Sequence, residues 1–232
     1  MPRHSLLLSS ESTSKNPFFH EACVYVAAHD ELYITSNLLQ ATQSSKFPII
    51  LISRLKLRRQ LNLLDDSSSV NSVEWVKMRP PAGIDMPNGG VNYLDDTILM
   101  CAQGSATRGT GGIYHIPRSG AAKPLVTNFH GRDFNSPNDV IVASDGSIWF
   151  TDPCYANEQD FRQHPKLPNQ VYRFNPKTGD IRVVADRLGR PNGICFSPDE
   201  KIVYITDTDY IHGDGTKDPL RYGSIVSLDS GN

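Results

Sequence analysis

Glu21, Asn138 and Asn192 are one carboxylate and two carboxamides, each near the start of a short strand, turn, strand unit. If those units are blades around a common axis, their first strands line the middle and the three side chains converge at one end. One carboxylate and two amide oxygens form a hard-oxygen set that suits calcium or another hard divalent ion. No histidine cluster competes for that role. Read without the repeat, a Pro-Asn pair simply makes the turn into a strand, because Pro fixes φ and Asn tolerates turn geometry.

The units themselves are legible as a repeat. Pro87-Asn88-Gly89, Pro137-Asn138-Asp139 and Pro191-Asn192-Gly193 each precede an acidic turn, and in all three the Asn lies seven residues before the Asp, at Asp95, Asp145 and Asp199. The copies begin 50 and 54 residues apart, a period that marks a repeat architecture. Each copy continues into an apolar strand, as in Ile148-Trp149-Phe150-Thr151-Asp152. His20-Glu21 opens a divergent first copy, with Glu21 near the place that Asn holds in the others. Third and fourth strands are expected at residues 49–57 and 73–78, 112–116 and 124–126, and 170–174 and 180–184, with a third strand alone at 223–229. The polar run at 65–69 reads as a loop tip. The pattern predicts an all-β fold, a β-propeller with about four blades in this chain. A ring left open exposes blade faces and strand edges, so the chain is expected to be incomplete. Residues 5–8 are the alternative source of a missing outer strand, which would close a four-bladed ring. The expected division is a flexible arm at 1–16 and a partial propeller at 17–232.

Other residues could touch a substrate at the channel mouth. His130 and Arg132 flank a loop just before the third inner strand. Asp152 ends a strand near the same level and could contact substrate, orient a water or act as a base, or serve only as a turn residue. Asp139, next to Asn138, is expected to point away from the channel because strand neighbours alternate faces. His212-Gly213-Asp214-Gly215 falls in a long loop of the fourth unit, and Asp214 lacks the twelve-residue spacing of a calcium loop.

Composition sets bounds on function. A chain of 232 residues with 38% hydrophobic and 21% charged residues is an ordinary globular composition. A net charge of -2 gives no general attraction to nucleic acid or to anionic membranes, so neither is an expected partner. The four cysteines form no Cys-x-x-Cys pair, and the apolar runs around three of them suggest small buried hydrophobes. Leu6-Leu7-Leu8 is too short for a signal peptide, which makes a cytoplasmic location the default. Neither a Gly-x-Ser-x-Gly elbow, a P-loop nor a His-Glu-x-x-His helix occurs.

His20-Glu21-Ala22, Asn135-Ser136-Pro137-Asn138-Asp139-Val140, the run at 145–153 and Arg190-Pro191-Asn192-Gly193-Ile194 together resemble the SMP-30, gluconolactonase and luciferin-regenerating-enzyme-like family, particularly its fungal lactonohydrolase branch. The likeness covers residues 18–229. It implies a six-bladed propeller whose central divalent metal, Ca²⁺ by preference, is held by a Glu, two Asn and an Asp. By motif the first three are Glu21, Asn138 and Asn192. The fourth, which doubles as the general base in the family, would fall near position ~246 on the repeat spacing, beyond this sequence. The expected function is a metal-dependent lactonase of the gluconolactonase type, which opens a small cyclic ester with an activated water. The alternatives are a non-catalytic calcium-binding propeller, an inactive truncated product, or a phosphotriesterase-like hydrolase on the same metal.

Overall fold

The computed structural model describes residues 6, 8–9, 18–40, 48–61 and 68–231. It is all-β apart from one helical turn and two short 3₁₀ turns. Four antiparallel sheets follow one another along the chain, each a simple up-and-down meander. The first holds β1 (Phe19–Val26), β2 (Glu31–Ser36), β3 (Ile52–Leu61) and β4 (Ser68–Met78). The second holds β5 (Pro87–Tyr93), β6 (Thr97–Ala102), β7 (Gly112–Ile116) and β8 (Lys123–Val126). A small hairpin, β9 (Asn128–Phe129) and β10 (Arg132–Asp133), leads into the third sheet. That sheet is β11 (Val140–Val142), β12 (Ile148–Asp152), β13 (Gln170–Phe174) and β14 (Ile181–Ala185), with the helical turn α1 (Tyr155–Glu158) between β12 and β13. The last sheet is β15 (Pro191–Phe196), β16 (Ile202–Asp207) and β17 (Ser224–Asp229).

Period-two alternation explains how the sheets stack. In β6, Ile98, Met100 and Ala102 join Val24, Val26 and Ile52 of the first sheet. The intervening Leu99 and Cys101 face the other way, into a cluster with Val140 and Phe150 of the third. Likewise Phe150 faces the second sheet, while Trp149 packs with Ile194, Val203 and Ile205 of the fourth. Strands covered on both faces need apolar residues at every position, which is why β6 and β12 are continuously buried. In β16 burial alternates instead. Ile202 and Tyr204, on the face turned from the third sheet, are 38% and 37% exposed.

The acidic turns bend the chain by the same device each time. Asp30, Asp95, Asp96, Gly146 and Glu200 all have positive φ, a conformation that Gly, Asp and Asn enter most easily. Asp145 Oδ1 accepts the Ser147 N–H at 2.7 Å, an Asx turn that presets the hairpin between β11 and β12.

Several boundaries differ from the sequence expectation. β3 and β4 run well past residues 57 and 73, because Arg58, Arg59, Gln60 and Leu61 pair with Ser72, Val70, Ser69 and Ser68. Ser68 and Ser69 of the expected loop tip therefore begin a strand, and residues 65–67 lie outside the described residues. So does part of the 5–8 segment, whose Leu6 is exposed. Of the four free cysteines only Cys101 is buried, and Cys23 and Cys195 are exposed.

Candidate metal centre

The first strands of the four sheets lie side by side, β1 against β5, β5 against β11, and β11 against β15. Their starts are pinned together through the carbonyls of the repeated Asn. Thr35 Oγ1 donates to the Asn88 carbonyl at 3.2 Å, the Gly89 N–H to the Asn138 carbonyl at 2.8 Å, and Thr151 Oγ1 to the Asn192 carbonyl at 2.6 Å. The second of these bonds requires glycine, since a Cβ at Gly89 would fall 2.4 Å from the Asn138 carbonyl oxygen. Asp139 takes the same place in the third sheet. It reaches sideways, with Oδ2 accepting the Ile194 N–H of the fourth sheet at 3.0 Å and Oδ1 its neighbour Val140 at 2.9 Å.

With their backbones fixed, the side chains of Asn88, Asn138 and Asn192 line one cavity of about 680 Å³, together with His20 and Gln103. Asn138 is 2% exposed, and among the described residues nothing hydrogen-bonds its Oδ1. A buried carbonyl-type oxygen without a partner is costly, so this atom is one that a cation or an ordered water would satisfy. Asn192 donates its Nδ2 hydrogen to the Tyr155 hydroxyl at 3.3 Å.

Glu21 is not among the residues lining the cavity, although its neighbour His20 is. Its carboxyl is pushed up to about 7, by burial first and by the charge of Asp139 second. Burial holds His20 below the ordinary imidazole range. Both shifts favour neutral groups, so the 3.7 Å contact between His20 and Glu21 is polar rather than ionic near neutral pH. Among the described residues no three His, Cys, Asp or Glu side chains gather in one group. The cavity offers the amide oxygens of Asn88, Asn138 and Asn192, with Glu158, Asp160 and Asp214 also in its lining, a hard-oxygen set that fits a hard divalent cation better than zinc.

Asp152, His130 and Arg132 lie elsewhere. Asp152 is fully buried, and its two oxygens accept the N–H groups of Asn135 and Ser136 at 2.9 and 2.8 Å. It holds the turn into Asn138 in shape and does not face the cavity. His130 and Arg132 are exposed and do not line the cavity. His130-Gly131 is the two-residue turn of the β9–β10 hairpin, with φ of 49° and 77°, the left-handed pair that a type I′ turn needs. His212, Gly213 and Asp214 do line the cavity, at the tip of the long loop between β16 and β17.

That loop is held down by residues the sequence reading did not single out. Glu158, in α1, accepts the Gly213 N–H at 2.6 Å and pairs with Arg190 at 2.7 Å. Arg190 also pairs with Asp209 at 2.7 Å. Asn88 was legible as a third copy of the Pro-Asn motif and lines the cavity like the other two.

An all-β chain of successive antiparallel meanders, with first strands gathered round a polar cavity, is the class of protein that fold and site define. The family model of the SMP-30/Gluconolactonase/LRE-like region matches residues 57–211, and the chain belongs to that family. Lactonohydrolase oryL of Aspergillus oryzae is 33% identical over 200 residues, which cover 82% of this chain and 40% of oryL. A gluconolactonase of Zymomonas mobilis is 37% identical over 89 residues, 37% of this chain and 24% of that protein. Among solved structures, the Xanthomonas campestris gluconolactonase XC5397 superposes with a TM-score of 0.59 at 25% identity, over 92% of this chain and 59% of the other. The calcium-binding protein regucalcin of Agrobacterium tumefaciens, at 17% identity and a TM-score of 0.51 over 94% of this chain and 57% of the other, shares the fold. This chain thus spans 40% and 24% of the two relatives' lengths. Among the described residues no helix is long and apolar enough to cross a membrane.

Proposed function

We propose that this chain carries the greater part of the metal site of a gluconolactonase-like lactone hydrolase, built on a six-bladed propeller plan. The observation that carries the reading is that Asn138, whose buried Oδ1 has no hydrogen-bond partner among the described residues, lines the cavity that Asn88 and Asn192 share. Asn138 and Asn192 would hold a divalent cation, Ca²⁺ by ligand type, and Glu21, which lies outside the cavity lining, would have to turn inward and lose its proton to complete the set. When bound, such a cation polarises an ester carbonyl and lowers the pKa of a water at neutral pH.

The chain's own residues supply the rest of the site. Carbonyl-to-neighbour bonds across the sheets hold the Asn backbones, so their amides need little reorganisation to meet a ligand. His20, Gln103 and His212 give the cavity hydrogen-bonding groups that suit a hydroxylated lactone, while Leu38 and Ile50 supply apolar wall. Glu158 is committed to Arg190 and Gly213, and these partners hold its carboxyl below the usual range despite burial, so it is a poor proton acceptor.

The test is hydrolysis of glucono-δ-lactone by the purified chain with added Ca²⁺, with chelator, and after Asn138→Ala. Turnover that chelator and the substitution both abolish supports the reading. Chelator-insensitive turnover overturns the metal assignment. Calcium binding without turnover of any lactone in a panel overturns the hydrolase assignment for this chain.

A further inference from the structure

Asn192 presents two different atoms at one end of its side chain, and only Oδ1 can ligate a cation. Rotating the carboxamide by 180° would put an N–H group into the cavity and repel the ion. Something must therefore fix its orientation.

A chain of hydrogen bonds with a defined direction leads away from it. Asn192 Nδ2 lies 3.3 Å from the Tyr155 hydroxyl, which lies in turn against Thr208 Oγ1. Thr208 Oγ1 lies 3.3 Å from the Arg190 carbonyl, which also accepts the Thr208 N–H at 3.0 Å. A carbonyl can only accept, so the Thr208 hydroxyl proton points at Arg190. The Thr208 oxygen is then left to accept from Tyr155, and the Tyr155 oxygen is left to accept from Asn192. Each hydroxyl donates once and accepts once, and the direction is set at the backbone end.

Tyr155 is well placed to act as a fixed post. It is 7% exposed and belongs to α1, whose last residue, Glu158, pairs with Arg190 two residues before Asn192. One helical turn of the third sheet therefore grips the first strand of the fourth at two points.

We propose that Tyr155 is a positioning residue for the cation site, with Thr208 setting the direction of its hydrogen bond so that Asn192 turns Oδ1 into the cavity. This rests on the reading of Asn192 as a ligand. It adds that two hydroxyls which need not touch the ion control its affinity.

Calcium titration calorimetry and side-chain ¹⁵N NMR of the Asn192 amide, on the whole chain, test it. Tyr155→Phe should weaken calcium about tenfold, the lower end of what losing a partner of a ligand costs, and should speed exchange of the Asn192 amide protons. Thr208→Val, which keeps the shape and removes only the hydroxyl, should act in the same direction by a smaller factor, and carries the test if the Phe variant fails to fold. Tyr155→Phe added to Asn192→Ala should change affinity no further. Unchanged affinity and an unchanged Asn192 amide signal in both hydroxyl variants overturn the proposal. If the wild-type chain binds no calcium, the metal reading falls, and the amide signal alone decides the role of Tyr155.

Discussion

Asp152 and Asp207 perform the same task one sheet apart. Each ends the second strand of its sheet and accepts the N–H groups of the residues three and two before the cavity Asn. For Asp152 these are Asn135 and Ser136, at 2.9 and 2.8 Å, and for Asp207 they are Gly189 and Arg190, at 2.8 and 2.6 Å. In the second sheet the equivalent place, paired with Pro87, is held by Ala102. There the backbone takes over, with the Gln103 N–H on the Met86 carbonyl at 3.0 Å and the Gly104 N–H on that of Asp85 at 3.2 Å. Asp152→Ala leaves two buried N–H groups without partners, and should cost about 2–6 kcal/mol in urea unfolding at ~1–3 kcal/mol for each unsatisfied group. Asp145→Ala, at an exposed turn with a surface pair to Arg173, should cost about 1 kcal/mol or less.

The same carboxyl predicts a pH dependence. Burial pushes Asp152 up to about 7, against the pull of its two N–H partners. Its folded state therefore holds a proton more tightly than the unfolded chain, where an ordinary Asp titrates near 3.8. The resulting stabilisation is full below pH ~4, declines as pH rises toward ~7, and is absent above that. Glu21 contributes with the same sign. Unfolding midpoints between pH 4 and 7.5 should fall for the wild type, and Asp152→Asn should lessen that slope without abolishing it.

The repeat made the sheets legible, because the strand starts near Glu21, Asn88, Asn138 and Asn192 follow from a motif recurring at nearly constant spacing. The chemistry of Asp152 was not legible. A strand-end Asp before Pro reads alike whether it faces a channel or clasps the preceding turn, and only the register of that turn decides. His130-Gly131 reads as a loop for a similar reason, since the two flanking strands are only two residues long and leave no alternation to detect. The Glu158–Arg190–Asp209 network joins residues on three separate segments, and no local pattern announces such a contact. β3 and β4 overran their expected ends because the alternation of Arg and Ser with apolar residues weakens there while backbone pairing continues.

Arg190 sits between two carboxylates, with 13% of its side chain exposed against 16% for Glu158 and 17% for Asp209. Arg190→Met keeps much of the packing and leaves Glu158 without a cationic partner, while Asp209 keeps only Arg221, at 3.2 Å. Removing one partner of a fully buried pair costs about 3–5 kcal/mol. The residual exposure here brings the expected loss nearer ~2 kcal/mol. The loop tip at Gly213, which hangs on Glu158, should loosen first. Hydrogen exchange should therefore speed up at Gly213 more than in β12 or β16, whereas uniform acceleration would show that the network stabilises the whole sheet and not the loop.

Asn138→Ala separates a ligand from a structural amide. An Asn whose side chain serves the fold loses stability on truncation whether or not an ion is present. Asn138 Oδ1 has no protein partner among the described residues, so removing it also removes an unsatisfied polar atom, and the desolvation cost of that atom offsets part of the packing lost. In chelator the variant should unfold within about 1 kcal/mol of the wild type, whereas most substitutions at sites this buried cost more. Added calcium should raise the wild-type midpoint, because an ion that binds only the folded state stabilises it in proportion to the logarithm of its concentration over Kd. The variant's midpoint should barely move. A large loss in chelator together with an undiminished calcium response would place Asn138 in the scaffold, and the ion, if it binds, on other oxygens of the cavity.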